Sequence, residues 1–294
     1  MILIFVTSSS IKSDYILESV NELASLGISN IELSGGTQYQ GSPIKDLKKL
    51  QNDLSLNFLI HNYFPPSKKD FVLNIASQDD FVRERSIDFA RSSIHCATQL
   101  GLSFYAMHAG YLINMKPPKP KEDHFVMTQS QVMDREEGEK RMFDSFVKIN
   151  DFARGKNIRV ALENLFPIES SPECSLLTKP GDIFKFLDRF DDEKNVGLLL
   201  DLGHLLISSN YYGFDKEIFL KKLNKFYADK IFAIHLSGND GKIDLHCQLH
   251  KDSWQLKALK NINLDGVPVT LELRNLGKSI ILDQYNLVKR ELDI

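Results

Sequence analysis

Short apolar runs alternate with longer amphipathic segments from one end of the chain to the other. Residues 2–6 (Ile-Leu-Ile-Phe-Val) suit a buried strand. Ser13 or Asp14 opens a helix in which Ile16, Leu17, Val20, Leu23, Ala24 and Leu26 fall at helical spacing, and Gly27 stops it. A second strand at 30–33 runs into the turn Ser34-Gly35-Gly36, and a helix lies near 43–54. The third strand, 57–61, breaks at Pro65-Pro66. A long helix over about 78–100 carries Phe81, Ile87, Phe89, Ala90, Ile94, Ala97 and Leu100 towards the core. Strand four is 103–108, closed by Gly110, and a loop of more than twenty residues follows, with Lys116-Pro-Pro-Lys-Pro-Lys121 inside it. Then come a helix at about 135–155, strand five at 158–163, another long loop to Lys179-Pro180, and a helix at 181–190. Strand six is 196–201, its helix 215–227, strand seven 230–235, a helix near 252–260, strand eight 267–273 and a last helix 278–292.

Apolar strands separated by helices imply parallel strands covered by helices. Eight such units in 294 residues predict a single (β/α)8 TIM barrel, one domain spanning 1–294. The competing architecture, an open doubly wound sheet, would be expected to carry a glycine-rich dinucleotide turn after the first strand, and none is there.

Composition adds bounds. Apolar residues at 43% and charged residues at 26% are ordinary for a soluble globular protein. Cys96, Cys174 and Cys247 are scattered with no CxxC, which suggests a reducing compartment and no thiol-only metal site. A net charge of -3 argues against nucleic acid as an obligatory partner. The first apolar run is too short for a signal-peptide core, and no apolar stretch approaches membrane-spanning length. These features predict a cytoplasmic, soluble protein.

The chemistry concentrates where predicted strands end. The stretch from Phe232 to His246 begins as a buried strand, closes on His235, and continues through Ser237, Gly238, Asn239, Asp240 and Gly241 to Asp244 and His246. An imidazole at a strand mouth followed by a carboxylate and a second imidazole suits a metal ion. Strands three to eight end on His61, His108, Glu163, Asp201, His235 and Glu272, and the loop after strand six adds His204. In a closed parallel barrel these ends converge on one face. A lone strand-end histidine serves more often as a hydrogen-bonding rim group than as a ligand. Carboxylates that end apolar runs, however, are costly to bury without a cation or donors. An ion pair with Arg274 or Lys242 is the plainer way to meet that cost. Five of the eight histidines occupy these places, and their convergence favours metal. His95, His124 and His250 are expected to be structural or solvated, and alternation points Glu32 towards the helix layer.

At these residues the chain resembles the xylose isomerase-like TIM barrel superfamily, which holds sugar phosphate isomerases and epimerases and endonuclease IV-like proteins. The matching pieces are Ile60-His-Asn62, Met107-His-Ala-Gly110, Val160-Ala-Leu-Glu-Asn164, Leu200-Asp-Leu-Gly-His204, Ile234 to His246 and Leu271-Glu-Leu273, in family order. The resemblance implies that Glu163, Asp201, His235 and Glu272 bind a divalent metal (Zn, Mn, Mg or Co). It implies that His61, His108, His204, Asp244 and His246 match the further ligands of a three-zinc endonuclease. The first reading is therefore a divalent-metal-dependent sugar or sugar phosphate isomerase/epimerase. Glu163 and Glu272 would be its catalytic acid and base, moving a proton through an enediolate, with His204 and Arg274 binding a carbohydrate substrate. The alternative is an endonuclease IV-like multinuclear zinc phosphodiesterase acting on abasic DNA, and the third a barrel that binds metal or sugar without turnover. Thr37-Gln-Tyr-Gln40 lacks the arginine expected of a DNA-penetrating loop, and Glu122, Asp123, Glu136 and Glu137 offset the nearby lysines. The segment from Tyr111 to Arg135 is expected to act as a lid or specificity loop.

Overall fold

The structure, a computed structural model, describes residues 2–116, 126–127, 132–274 and 276–294. The elements follow one another as β1 (Ile4–Thr7), α1 (Ile16–Ser25), β2 (Asn30–Leu33), α2 (Ile44–Asp53), β3 (Asn57–Ile60), α3 (Asp80–Leu100) and β4 (Phe104–His108). A short antiparallel pair, β5 (Met115–Lys116) with β6 (Val126–Met127), precedes α4 (Arg135–Arg154). The second half holds β7 (Arg159–Glu163), α5 (Pro180–Arg189), β8 (Val196–Asp201), α6 (Leu202–Tyr212), α7 (Lys216–Phe226), β9 (Ile231–Leu236), α8 (Trp254–Leu259), β10 (Val269–Leu271) and α9 (Lys278–Glu291).

Eight strands form one parallel sheet in the order β3-β2-β1-β10-β9-β8-β7-β4. The two outer strands meet through a parallel bridge between His61 and Ala106, and the Asn62 N–H donates to Ala106 O at 2.8 Å. This is a (β/α)8 barrel, and the bridge that brings its edges together sits at a residue of the candidate site.

Apolar packing divides into two layers. The larger lies between sheet and helices, where α3, for example, inserts Ile87, Ala90, Ile94, Ala97 and Leu100. Asp79 caps this helix by accepting from the Phe81 and Val82 N–H groups, and Gly101 ends it in the left-handed region at φ +74°. The smaller layer fills the barrel itself with Phe104, Ala106, Ala161, Leu199, Phe232 and Ala233. A register shift between β8 and β9 pairs Leu198 with Ile231 but Leu199 with Ala233, leaving Phe232 as the extra residue. The bulge lets Phe232 and Ala233 join the same interior cluster, which is how the floor is filled beneath the mouth.

The pattern-based expectations hold for all eight barrel strands. Two details differ. The chain from 202 to 212 is helix α6, not loop; Leu202, Gly203, His204, Leu205, Ile207, Ser208 and Ser209 are all buried, so the helix shows no polar stripe to read. Phe81 is 75% exposed, because it lies six positions before Ile87 and so well off the stripe that faces the core. Among the described residues no helix is long and apolar enough to cross a membrane.

The barrel floor makes a stability prediction. A Cβ at Gly197 would stand 2.5 Å from Lys230 O and 2.6 Å from the Phe232 ring. Gly197→Ala should destabilise the fold by about 1–3 kcal/mol through overpacking. Thermal melting followed by circular dichroism checks this, and an unchanged melting temperature would show that the floor yields freely.

Candidate metal centre

The mouth of the barrel is built by the C-terminal ends of its strands. His108, Glu163 and Asp201 end β4, β7 and β8, His235 is the penultimate residue of β9, and Glu272 follows β10 directly, its N–H bound to Leu236 O. Glu163, Asp201 and His235 are fully buried and Glu272 nearly so. Glu163, Asp201, His235 and Glu272 each bring one ligand-capable atom to within 4.8 Å of the others. His235 Nδ1 lies 2.9 Å from Glu272 Oε2, 3.8 Å from Glu163 Oε1 and 4.0 Å from Asp201 Oδ2.

Two further groups flank this one. On the β3–β4 side, His61 Nε2 is 2.7 Å and His108 Nε2 3.5 Å from Glu163 Oε2. On the other side, His204 Nε2 is 3.5 Å and His246 Nε2 2.7 Å from Asp244 Oδ2. Main-chain carbonyls set the tautomers there. His204 Nδ1 donates to Asn164 O at 2.8 Å and His246 Nδ1 to Glu272 O at 3.1 Å, so in the neutral rings both Nε2 lone pairs face Asp244.

Local chain geometry serves these positions. Asn164 clamps β8 by accepting from Asp201 N and donating to Asp201 O. Asp201 caps α6 through the His204 N–H at 2.6 Å, placing His204 in the first helical turn. Gly203 leaves room for the loop after β9, since a Cβ would meet Ser237 Oγ at 2.8 Å and Asn239 Nδ2 at 3.0 Å. A two-way bridge between Gly238 and Cys247 folds that loop back, and His246 adopts φ +45° to face the mouth.

Buried polar atoms here lack partners. Glu163 Oε1, Asp201 Oδ2, His61 Nδ1, Glu32 Oε1, Asp244 Oδ1 and His246 Nε2 make no hydrogen bond. Such atoms are costly unless something charged or hydrogen-bonding meets them. The ion-pair expectation fails among the described residues. Arg274 and Lys242 are exposed, and every ion-pair contact of these carboxylates is with histidine. Convergent oxygens and imidazole nitrogens without a fixed cation are the donor set of a divalent ion, and the residues fit one.

The electrostatics agree. Burial works against the Glu163 carboxylate, yet His61, His108 and His235 outweigh it and hold the group at about 2. Burial pushes Asp201 up to about 6; His204 opposes the shift, while Glu163 and Glu272 add to it. Burial also disfavours charge on His204 and His235, but Asp201 and Asp244 around the first, and Glu32 and Glu272 around the second, raise both well above the ordinary imidazole range. Burial takes His108 down to about 4. Without a metal ion, protons on the imidazoles balance the carboxylates.

All nine residues singled out as ligands in the sequence thus meet at one mouth. Of the two substrate residues expected, His204 lies among them; Arg274 stands exposed beside it, its N–H bound to His246 O at 3.1 Å. His95 and His250 are exposed, and His124 lies outside the described residues. Of the expected lid, 117–125 and 128–131 also lie outside them; at its edges Leu112 N binds Cys174 O and Met133 N binds Leu112 O. One site residue escaped the pattern. Glu32 faces into the barrel, not the helix layer, with its Oε2 3.0 Å from His235 Nε2. Its pairing with Leu59, which shares its face of β3 with His61, was the missing signal.

Fold and mouth together define a (β/α)8 barrel with a metal-competent centre. The chain belongs to the xylose isomerase-like TIM barrel family, whose model matches residues 20–292. Among curated proteins it is 27% identical over 263 residues to an uncharacterised protein of Methanocaldococcus jannaschii, covering 85% of this chain and 77% of that one. It is 24% identical over 211 residues to a probable endonuclease 4 of Metamycoplasma arthritidis, covering 69% and 67%. Among solved structures, a D-tagatose 3-epimerase-like protein superposes with a TM-score of 0.73 at 21% identity over 99% of this chain and 97% of that one. The IolI protein with a bound zinc atom gives 0.71 at 14% over 99% and 100%. Both share the barrel fold.

Two outcomes are expected for metal. Divalent ion should raise the melting temperature, and Glu272→Gln should shrink the rise. Ions would also displace protons held by His235 and His204, whose pKa values the surrounding carboxylates raise well above the ordinary imidazole range. Affinity should therefore increase with pH through the neutral range by roughly tenfold per unit for each proton released. It should weaken further below about 6, where Asp201 takes up a proton. Calorimetry in buffers of different ionisation enthalpy reads the release directly; binding heats independent of buffer would contradict it.

Proposed function

We propose that the protein is a divalent-metal-dependent isomerase or epimerase of a sugar or sugar phosphate. The observation that carries this reading is the pair Glu163 and Glu272, two buried carboxylates that reach one four-donor group from strand ends separated by β8 and β9. Glu163, Asp201, His235 and Glu272 would hold the ion. When bound, it would polarise a carbonyl and its neighbouring hydroxyl and acidify the hydrogen on the carbon between. Glu163 is ionised at neutral pH and its Oε1 has no hydrogen-bond partner, which suits a base that takes this hydrogen. Glu272, from the other side of the group, would deliver a proton to the resulting enediolate once it had taken one up from solvent, since, against the effect of burial, His246 and His235 hold its carboxyl well below the usual carboxylate range. Glu163 would release its own proton to solvent to close the cycle. His204 and the exposed Arg274 would orient hydroxyls or a phosphate. The likeness of the fold to a D-tagatose 3-epimerase-like protein supports the substrate class.

A second reading has its own observation. His204 and His246 direct Nε2 at Asp244, and His61 and His108 direct Nε2 at Glu163. These donors exceed what one ion needs, and two or three zinc ions would supply a hydroxide and hold a phosphodiester. Resemblance to a probable endonuclease 4 supports this alternative.

Metal-loaded protein should be offered ketoses and their phosphates in deuterated water, and separately a duplex with an abasic site. The first reading predicts exchange of carbon-bound hydrogen, abolished by Glu163→Gln. Replacing His61 and His108 with Ala should leave part of that exchange but remove any duplex cleavage. Robust cleavage at catalytic concentrations, with no exchange on any sugar, would overturn the first reading and establish the second.

A further inference from the structure

Beneath the nine convergent residues lies a tenth polar group that neither reading uses. Glu32 is the third residue of β2 and is 1% exposed. Its Oε2 accepts from His235 Nε2 at 3.0 Å and from Thr270 Oγ1 at 3.1 Å. Its Oε1 faces His61 Nδ1 at 3.9 Å, and neither of these two atoms has a hydrogen-bond partner. The His61 and His235 rings stand edge to face with centroids 4.6 Å apart, so one carboxylate lies under both.

The upper nitrogens of the two rings point the other way. His235 Nδ1 faces Glu272 Oε2 at 2.9 Å, and His61 Nε2 faces Glu163 Oε2 at 2.7 Å. A ring nitrogen that carries a proton cannot bind a metal ion. A neutral imidazole has one proton to place, and it goes to the nitrogen that faces a buried acceptor. His204 and His246 find that acceptor in main-chain carbonyls. The strand-end rings of His61 and His235 have no carbonyl in that position among the hydrogen bonds of the described residues; what lies there is Glu32.

We infer that Glu32 is a positioning residue that fixes the ring orientation and tautomer of His235, holding the proton on its Nε2. The opposite nitrogen, Nδ1, is then free to face the ion. This rests on the metal-dependent reading above and adds to it a part outside the nine ligand positions. It also accounts for a carboxylate placed deep in the barrel beside no lysine or arginine within ion-pair distance among the described residues.

The test compares wild type with Glu32→Gln and Glu32→Leu, using zinc alone as the probe. Metal content, affinity by chelator competition and imidazole nitrogen NMR spectra of the zinc-loaded proteins are measured, with melting of the metal-free proteins as the check on folding. We expect zinc affinity to fall 10- to 100-fold, as removal of such an outer partner does elsewhere. The His235 Nε2–H signal should be lost or moved, while the metal-free melting temperature does not fall in the same proportion. The near-isosteric Gln variant keeps the test open if Leu does not fold. Unchanged affinity and unchanged imidazole signals in Glu32→Gln would overturn the inference. Loss of one whole ion, with the remaining affinity unchanged, would make Glu32 a ligand and overturn it too. Wild-type protein that binds no zinc would remove the metal reading and this inference together, whereas wild-type binding matched by the variant removes the inference alone.

Discussion

Glu32, Glu163, Asp201, Asp244 and Glu272 share one barrel mouth with His61, His108, His204, His235 and His246, and among the described residues no fixed cation joins them. Taking a carboxylate out of water costs several kcal/mol unless it is paired. Everything else at this end of the molecule follows from how that charge is balanced. With protons alone, His204 and His235 are held charged. With a divalent ion, the same rings would serve as neutral ligands and the unpartnered oxygens would gain a partner. The site is thus poised between two ways of meeting one electrostatic demand.

The barrel supplies the rigidity this needs. Parallel strands bring their C-terminal ends to one mouth, the Phe232 bulge fills the floor, and the His61–Ala106 bridge ties the outer strands together at the site. Main-chain groups then orient the outer rings. The N-terminus of α6 brings His204 to Asp244, and the Gly238–Cys247 bridge folds the loop after β9 so that Asp244 and His246 meet it there. Charge and backbone are therefore solved together: His204 and His246 each present Nε2 because a main-chain carbonyl holds Nδ1.

Much of this was legible in the chain. Apolar runs marked the strands, and a metal-competent residue at the end of each of the last six marked the mouth, because burial makes such residues conspicuous. What stayed hidden depended on partners distant in sequence. Glu32 reads as outward by alternation alone; only its pairing with Leu59 turns it inward. Helix α6 is buried on most sides and shows no amphipathic stripe, so His204 reads as loop. Phe81 is apolar but sits off the α3 stripe, a matter of phase that composition does not carry.

The central claim is that this mouth holds a divalent ion among Glu163, Asp201, His235 and Glu272. Anomalous diffraction from crystals grown with zinc or manganese, recorded at the absorption edge of the metal used, tests it most directly. The account predicts a strong peak within coordination distance of these four side chains. A crystal saturated with the ion that shows no peak at the mouth, with Asp201 and His235 bound only to each other or to water, would contradict it.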